Sequence, residues 1–542
     1  MSLLIKYTDI ALGAKEAFEI TTGGKLPASN VELIKTDGAE FKRYDLPFEL
    51  NSMLLDGEAI FLPEEELAQI GFISEEMSNE NSQFQTPISI ELTATEAYTS
   101  NGIALRFDEI KNIYATHLNI KWYNGETLLD DMDFYPQSAY YFCNNKVDFY
   151  NKIVITIYAI NVPNNRFRLN AIEYGIKVEF GADELKSAKI IQEIDPISTS
   201  IPISPFDFSI ESKKNIEFSF QSKQPIEVYF NNVLKARTFV KNAKRKSKKT
   251  WDIKSEDYIG LLDTIYFKGG IYTNKNAIEL LQEIFAVAKV PYNIENDFAE
   301  LTVTGYIPYT TCRNALMQVC FAIAGVVTTS NSDKINIIKL SEEISKHIPS
   351  NRVMQGQSFE NETRVTAVEL TSHTYRPTTQ TTTVYEGSKS GAGNNILITF
   401  AEPLHTLSIT NGTIIESGVN YAIINATSSC VLMGRKYEHT MVIYRKNNPL
   451  VLADDIENIV AIENATLVSA VNVDNLLEMC YNYIVNTEKT TMKIIDGRKS
   501  DFSSVGNIIT YDTEYLGVKT GRIIKQSFNL SGGILVKDSI VR

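Results

Sequence analysis

The chain is poor in the residues that most often carry chemistry on their own. Its 542 residues include only five cysteines, five histidines and two tryptophans. The cysteines (Cys143, Cys312, Cys320, Cys430 and Cys480) are odd in number and scattered, with no CxxC pair. Cys312 and Cys320 fall eight residues apart on one predicted helix, too far along its axis for a bridge. This usage excludes a disulfide framework and fits buried, reduced thiols made in a cytoplasm. The histidines (His117, His347, His373, His405 and His439) read as isolated, with no HExxH motif and no His-Cys pairing. No apolar run approaches the about 20 residues of a membrane helix. The N-terminus, Met1-Ser-Leu-Leu-Ile-Lys6, lacks a signal peptide's basic start and small-residue cleavage site. Work outside the producing cell would therefore imply release by lysis or as part of a particle.

What is present describes ordinary globular protein. Hydrophobic residues make up 44% and charged residues 22% of the chain, which sets it apart from disordered sequences. The length implies about three to four domains. Tyr (27) and Phe (26) are plentiful, and the abundance of Ile, Thr, Asn and Ser favours strands and turns over long helices. The net charge of −14 is concentrated in residues 1–100, which hold 18 acidic and 6 basic side chains. Such a chain gains no general attraction to nucleic acid, so a nucleic-acid partner is not expected.

From Leu46 to about Gly181 the text alternates strictly in Ile88–Leu92, Leu118–Trp122, Ile153–Tyr158 and Phe167–Tyr174, with turn punctuation at Ser100-Asn101-Gly102 and Asn124-Gly125. Short strands with frequent turns argue for a β-sandwich. Leu54-Leu-Asp-Gly57, Tyr98–Phe107 and Asn161–Ile172 make this stretch resemble a discoidin-type, galactose-binding-like jelly roll. That resemblance implies ligand binding at the loops of one end, often beside a structural calcium.

Residues 182–205 mark a boundary: a predicted helical patch, Ala182–Ile191, leads into Asp195-Pro196 and Ile201-Pro-Ile-Ser-Pro205, an extended connector by its prolines. Beyond it, alternating segments at Phe208–Phe220 and Gln224–Asn232 precede the Trp251–Asp263 strand and turn. Two helices follow. Thr273–Ala288 carries Ile278, Leu281, Ile284, Phe285 and Ala288 at helical spacing, with Thr273 or Asn274 as cap. Thr311–Ala324 ends at Gly325, before a strand at Ile335–Leu340. The chain then returns to β. A flexible loop, Gly387–Asn394, is expected, then a β-rich insert and a helix over Val473–Val485 with Asn472 as cap. Glycine-broken strands close the chain.

Gln224-Pro-Ile-Glu-Val-Tyr229, Trp251–Asp263 and Gly305–Leu316 together make residues 205–542 resemble the hub (baseplate or tail-tip) proteins of tailed phages and phage-tail-like bacteriocins. The resemblance implies a pseudo-sixfold ring of three copies that adapts a sixfold tube to a threefold spike or fibre. A jelly roll in front departs from the simplest hubs. The expected fold is mainly β and multidomain: an N-terminal β-sandwich, then hub-like β-barrels with a small βααβ subdomain. The expected divisions are 1–185 (jelly roll), 186–204 (Pro-rich linker), 205–272 (first barrel), 273–350 (α/β subdomain) and 351–542 (second barrel, with an insertion at about 395–485). The first strands need the closing segment at 504–542, which makes the assembly module discontinuous.

Candidate sites are few. Lys241, Lys244, Arg245, Lys246, Lys248 and Lys249 form a basic run that reads as a contact in a tube lumen or at a partner, or as a solvated hairpin. The hairpin is favoured, because no aromatic is interleaved for base stacking. Trp122 and Tyr123 are candidate sugar-stacking aromatics. Alternation places Leu118, Ile120 and Trp122 on one, core-facing side, leaving Tyr123 as the better ligand candidate. Asp56 and Glu58 offer oxygen ligands for calcium, although a full site needs more. Asp130, Asp131 and Asp133 lack the spacing of an EF-hand loop. No nucleophile or acid–base motif stands out, so a non-enzyme is expected.

Three functions follow as expectations. The first is a tail hub in a virion or phage-tail-like particle, made in a bacterial cytoplasm, self-associating as a homotrimer and joining tail tube to spike or fibre. The second is a carbohydrate-binding adhesin acting on a host surface glycan through the jelly roll. The third is a tail-associated lysin using a carboxylate pair. No cofactor is expected beyond the calcium that the jelly-roll resemblance allows.

Overall fold

The structure is a computed structural model that describes residues 3–26, 29–35, 71–213, 218–361, 363–387, 395–426, 429–452, 456–485, 488–495, 504–530 and 535–541. The fold is mainly β and divides into two compact units. One contains Lys6–Phe180 with Ser212–Ile226; the other contains Met1–Ile5, Gly181–Glu211 and Glu227–Arg542. Among the described residues no helix is long and apolar enough to cross a membrane.

The first unit is a β-sandwich. Its strands are β1 (Glu19–Thr22), β2 (Phe72–Met77), β3 (Gln83–Ser100), β4 (Ile103–Phe107), β5 (Ala115–Asn124), β6 (Thr127–Phe134), β7 (Tyr140–Cys143), β8 (Val147–Ile160) and β9 (Arg166–Glu173). They form two sheets, in the orders β1-β3-β8-β5-β6 and β2-β9-β4-β7. Both sheets bury one face in a common core, Ile90, Leu118, Trp122 and Ile155 from one and Phe72, Leu105, Phe167 and Leu169 from the other. The period-2 text thus does what its alternation requires. Strand β9 departs from it: Phe167 to Glu173 are all buried, including Arg168, which reaches Asp108 at 3.5 Å.

The excursion Ser212–Ile226 belongs to this unit through a polar latch. Asp9, almost wholly buried, accepts from Ser219 N–H at 2.9 Å, Gln224 Nε2 at 2.8 Å and Asn101 Nδ2 at 3.3 Å. Phe220 N–H donates to the Tyr7 hydroxyl at 2.8 Å, and Tyr7 donates to Gln224 Oε1. Burial, and then the Asp9 charge, hold the Tyr7 phenol well above its usual range. A buried carboxylate survives only with its lone pairs filled in this way.

The larger unit opens with β10 (Leu185–Glu193) and β11 (Pro205–Glu211), followed by β12 (Val233–Arg245), β13 (Thr250–Glu256) and the short helix α1 (Tyr258–Leu262). Next come β14 (Gly270–Asn276), α2 (Ala277–Ala288), β15 (Thr302–Ile307), α3 (Cys312–Ala322) and β16 (Ile335–Ile338). Then follow β17 (Ala367–Gly387), β18 (Leu404–Thr410), β19 (Cys430–Asn447), β20 (Ile459–Ile462), α4 (Val473–Val485), β21 (Glu488–Ile495), β22 (Val518–Asn529) and β23 (Leu535–Val541). Seven neighbouring strands of the thirteen-stranded main sheet run β12-β13-β11-β10-β22-β23-β21. Its middle joins chain regions far apart: Ile190 lies between Phe206 of β11 and Phe528 of β22. The module is therefore discontinuous, closed by strands from the C-terminal segment.

The helical patch expected at Ala182–Ile191 is instead strand β10. Its Ala, Glu, Leu and Lys favour a helix in isolation. Two sheet neighbours override that, burying Ala188, Ile190 and Gln192 in alternation. The expected connector 186–204 thus begins inside the sheet. Its next turn is ordered by Asp195, which accepts from Ile197 N–H at 3.1 Å and Ser200 N–H at 2.9 Å. Helix α2 starts later than expected because β14 runs to Asn276, whose side chain, not that of Thr273 or Asn274, caps Glu279 N–H at 3.1 Å. Thr311 caps α3 and accepts from Asn314 N–H. Helices α2 and α3 bury Leu280, Leu281, Ile284, Leu316, Val319 and Cys320 in one core with Val303, Ile307 and Ile335. All five cysteines are buried and unbridged. Asn472 abuts α4, but its amide oxygen accepts from Ser469 N–H at 2.8 Å. The loop expected to end at Asn394 lies, after Gly387, outside the described residues.

Asp257 caps α1, accepting from Ile259 N–H at 3.1 Å, and also accepts from the Thr329 hydroxyl at 2.6 Å. Burial raises its pKa to about 6. The folded state therefore holds this proton where the unfolded state has lost it, and stability falls as pH rises from about 4 to about 6. Asp257→Asn should flatten that dependence by about 3 kcal/mol. Urea denaturation of both proteins at pH 4, 5, 6 and 7 checks this, and parallel curves would contradict it.

Candidate functional site

The outward face of β5, β6 and β8 carries aromatic rings, carboxylates and an amide. Because Leu118, Ile120 and Trp122 point inward, His117, Asn119, Lys121 and Tyr123 must point outward. Register sets Asn119 opposite Asp133 and Lys121 opposite Asp131 on β6, and opposite Thr156 and Val154 on β8. Asn119 Nδ2 donates to Asp131 Oδ1 at 2.7 Å. Lys121 Nζ lies 3.1 Å from Asp131 Oδ2, and His117 Nε2 lies 3.2 Å from Asp133 Oδ1. The Asn119 hydrogen bond, then the Lys121 ammonium, hold the Asp131 carboxyl below its usual range. The His117 ring stacks with Tyr135, at 5.0 Å, and with Tyr158, at 4.7 Å.

This face joins flat aromatic surface to fixed polar groups. Tyr135 is 60% exposed. Asn119 is only 7% exposed, and its Oδ1 accepts no hydrogen bond among the described residues. Its Nδ2 is engaged by Asp131, so Asn119 positions that carboxylate on the face. Aromatic rings beside carboxylates and an amide suit a polyhydroxylated ligand, whose C–H faces stack and whose hydroxyls bond.

Of the expected sugar contacts, Trp122 is fully buried with its indole edge-on to Phe134, so only Tyr123 reaches the surface. Tyr123 is half-buried, with the Lys152 ammonium 5.9 Å from its ring centre. His117, Asn119, Tyr135 and Tyr158 were not singled out by sequence. The available signal was the complement of the inward alternation. Asp131 and Asp133 take part here as hydrogen-bond acceptors.

The basic run is exposed and spans the end of β12, where Lys241, Lys244 and Arg245 lie in the strand, and the turn into β13, which holds Lys246, Lys248 and Lys249. Lys241 pairs with Glu256 at 2.6 Å and Lys246 with Asp252 at 2.5 Å. The Arg245 guanidinium lies 5.3 Å over the Trp251 ring and donates to the Lys248 carbonyl. Lys248 and Lys249 are exposed on the turn, and Lys244 is exposed near the end of β12, opposite Asp252. Asp56 and Glu58 lie outside the described residues. Among those described, no group of three or more His, Cys, Asp or Glu is placed to hold a metal.

The histidines are not all isolated. His373 Nδ1 and His439 Nε2 are 2.9 Å apart, brought together by the long pairing of β17 with β19.

No protein-family model matches the chain, and no curated protein matches it. Among solved structures it is similar to the tail protein from Neisseria meningitidis MC58, with 11% identity and a TM-score of 0.44 over 67% of this chain and 94% of that one. It is similar to the 43 kDa tail protein of prophage MuSo2 from Shewanella oneidensis (10%, TM-score 0.42, 67% and 95%). A third is the prophage tail protein gp18 from Listeria monocytogenes EGD-e (12%, TM-score 0.38, 67% and 91%).

The buried and exposed aromatic positions of this sheet should respond differently to truncation. Trp122→Ala should cost about 3–5 kcal/mol of stability, whereas Tyr135→Ala should stay within about 1 kcal/mol. Chemical denaturation of the two variants checks the contrast, and equal losses would place Tyr135 in the load of the fold.

Proposed function

We propose that the chain is a structural component of a phage tail or phage-tail-like particle. In this reading it is a baseplate or tail-tip hub that self-associates as a homotrimer and joins the tail tube to spike, fibre or receptor-binding parts. The resemblance of residues 205–542 to hubs motivates it. The observation that carries the assembly reading is the open edge of β19. Strand β18 pairs only with Val431–Lys436 of β19, and β17 takes its other side. From Glu438 to Asn447 that leaves one edge of β19 without a strand partner among the described residues. Met441 and Ile443 are each 61% exposed on it, with Val442 between them. Exposed apolar side chains on an unpaired edge invite another chain to add a strand. The role is mechanical, and catalysis has no part in it.

Light scattering of the intact protein should show an oligomer that Met441→Lys together with Ile443→Lys weakens at least about tenfold. A strict monomer at micromolar concentration, unchanged by the substitutions, would oppose the reading.

The sheet face of the sandwich favours a second reading, a tail adhesin that binds a host-surface glycan. Saturable binding of the full chain to purified cell-wall polysaccharide, lost on Tyr135→Ala and Asn119→Ala, would support it. No binding would assign the sandwich to docking within the tail. Muralytic activity in the same preparation, abolished by a carboxylate substitution, would instead establish a lysin.

A further inference from the structure

Strand β22 and the strand before it, Ile508–Asp512, form an antiparallel hairpin whose turn is Thr513–Gly517. The turn is braced from within. Thr513 N–H donates to the Gly517 carbonyl at 3.0 Å, and the Thr513 hydroxyl donates to the same carbonyl at 2.7 Å. Leu516 N–H donates to that hydroxyl oxygen at 2.8 Å. Gly517, at φ +68°, supplies the left-handed residue that returns the chain into β22. The turn is also braced from the side. The Gln357 amide accepts from Glu514 N–H at 3.1 Å and donates to the Asp512 carbonyl at 3.0 Å, while the Glu514 carboxylate accepts from Gly356 N–H at 3.0 Å.

What this bracing holds out into solvent is apolar. Tyr515 is 85% exposed, and Leu516 and Val518 beside it are 54% and 64% exposed. A lone exposed apolar side chain is ordinary, but three within four positions on a fixed turn make a pre-ordered anchor. Because the backbone is already held, docking such a tip forfeits little conformational freedom.

The same unit carries a groove of about 710 Å³, a size that suits the enclosure of a few side chains. Ile197, Leu340, Met479 and Ile508 line it, together with the cations Lys339 and Arg522. Arg522 is engaged by Glu342 at 2.8 Å and by the Gly506 carbonyl at 2.7 Å. Lys339 is exposed, and among the described residues no carboxylate forms an ion pair with its ammonium. The exposed Glu514 of the tip is a charge that matches it. The tip cannot fill the groove of its own chain. Ile508 and Arg522 pair at the base of the hairpin, four residue pairs, or about 13 Å, below the Asp512–Val518 pair that opens the turn.

We infer that the Thr513–Val518 tip of one copy docks in this groove of a second copy, with Tyr515 and Leu516 as anchors and Glu514 facing Lys339. The inference rests on the self-association reading and names its contact surfaces. Such a contact is heterologous, tip to groove, and repeats from copy to copy until the ring closes.

Sedimentation velocity of the full chain and of two surface variants tests this. Tyr515→Ala together with Leu516→Ser removes the anchor, and Asn482→Trp sets a bulky ring at the lining of the groove. All three positions are exposed, so the fold is kept. Each variant should dissociate at a concentration at least about tenfold higher than the unsubstituted chain. Mixed where each alone is monomeric, the two should form a heterodimer and nothing larger, because one intact tip and one intact groove remain. A monomeric unsubstituted chain would overturn both this inference and the self-association reading. An oligomer that either variant leaves unchanged, or a mixture without heterodimer, would overturn this inference alone.

Discussion

The larger unit depends on one pairing: β10, near residue 190, against β22, near residue 527. Through it the early strands β11, β13 and β12 join the late strands β23 and β21 in one sheet. Everything between, including the βααβ subdomain and the long β17/β19 pair, is held as insertions between strands that meet in the middle of the sheet. The pairing is apolar where it counts, since Phe206, Ile190 and Phe528 line up across three strands and all are buried. Such a sheet has non-local order at its centre, and its loop-closure entropy must be met before its contacts reward it.

In the proposed readings, function falls on surfaces that the fold leaves over. The sandwich uses the inward half of β5 for its core and frees the outward half for rings, carboxylates and an amide. The larger unit uses the first part of β19 inside a sheet and leaves the remainder as an edge. In both places one strand serves two purposes, because alternation in one case and partial pairing in the other divide it. This suits the proposed contact role, in which affinity comes from area and complementarity.

Much of this was legible in the text and some was not, for identifiable reasons. Leu118, Ile120 and Trp122 announced the core because a half-buried strand has period two. The closing strands were legible because their alternation breaks at Gly506 and Gly521. Strand β10 was hidden because Ala182–Ile191 is composed of helix formers whose partners lie outside any local window. The histidine pair was hidden because residues 373 and 439 meet only through the pairing of strands far apart in sequence. Gln224 read as the start of a strand, yet its side chain fills the latch around Asp9, a tertiary role that no periodicity carries.

The latch around Asp9 also has a genetic meaning. The sandwich is encoded in two pieces, Lys6–Phe180 and Ser212–Ile226, separated by coding sequence for the other unit. A product ending near residue 185 would keep Asp9 and Tyr7 but lose Ser219, Phe220 and Gln224, leaving a carboxylate at a site built to be dry. Exchange of this unit between related genes therefore has to carry both pieces, or replace Asp9 at the same time. A crossover in the apparent boundary at 186–204 divides a single hydrogen-bond network between two parents.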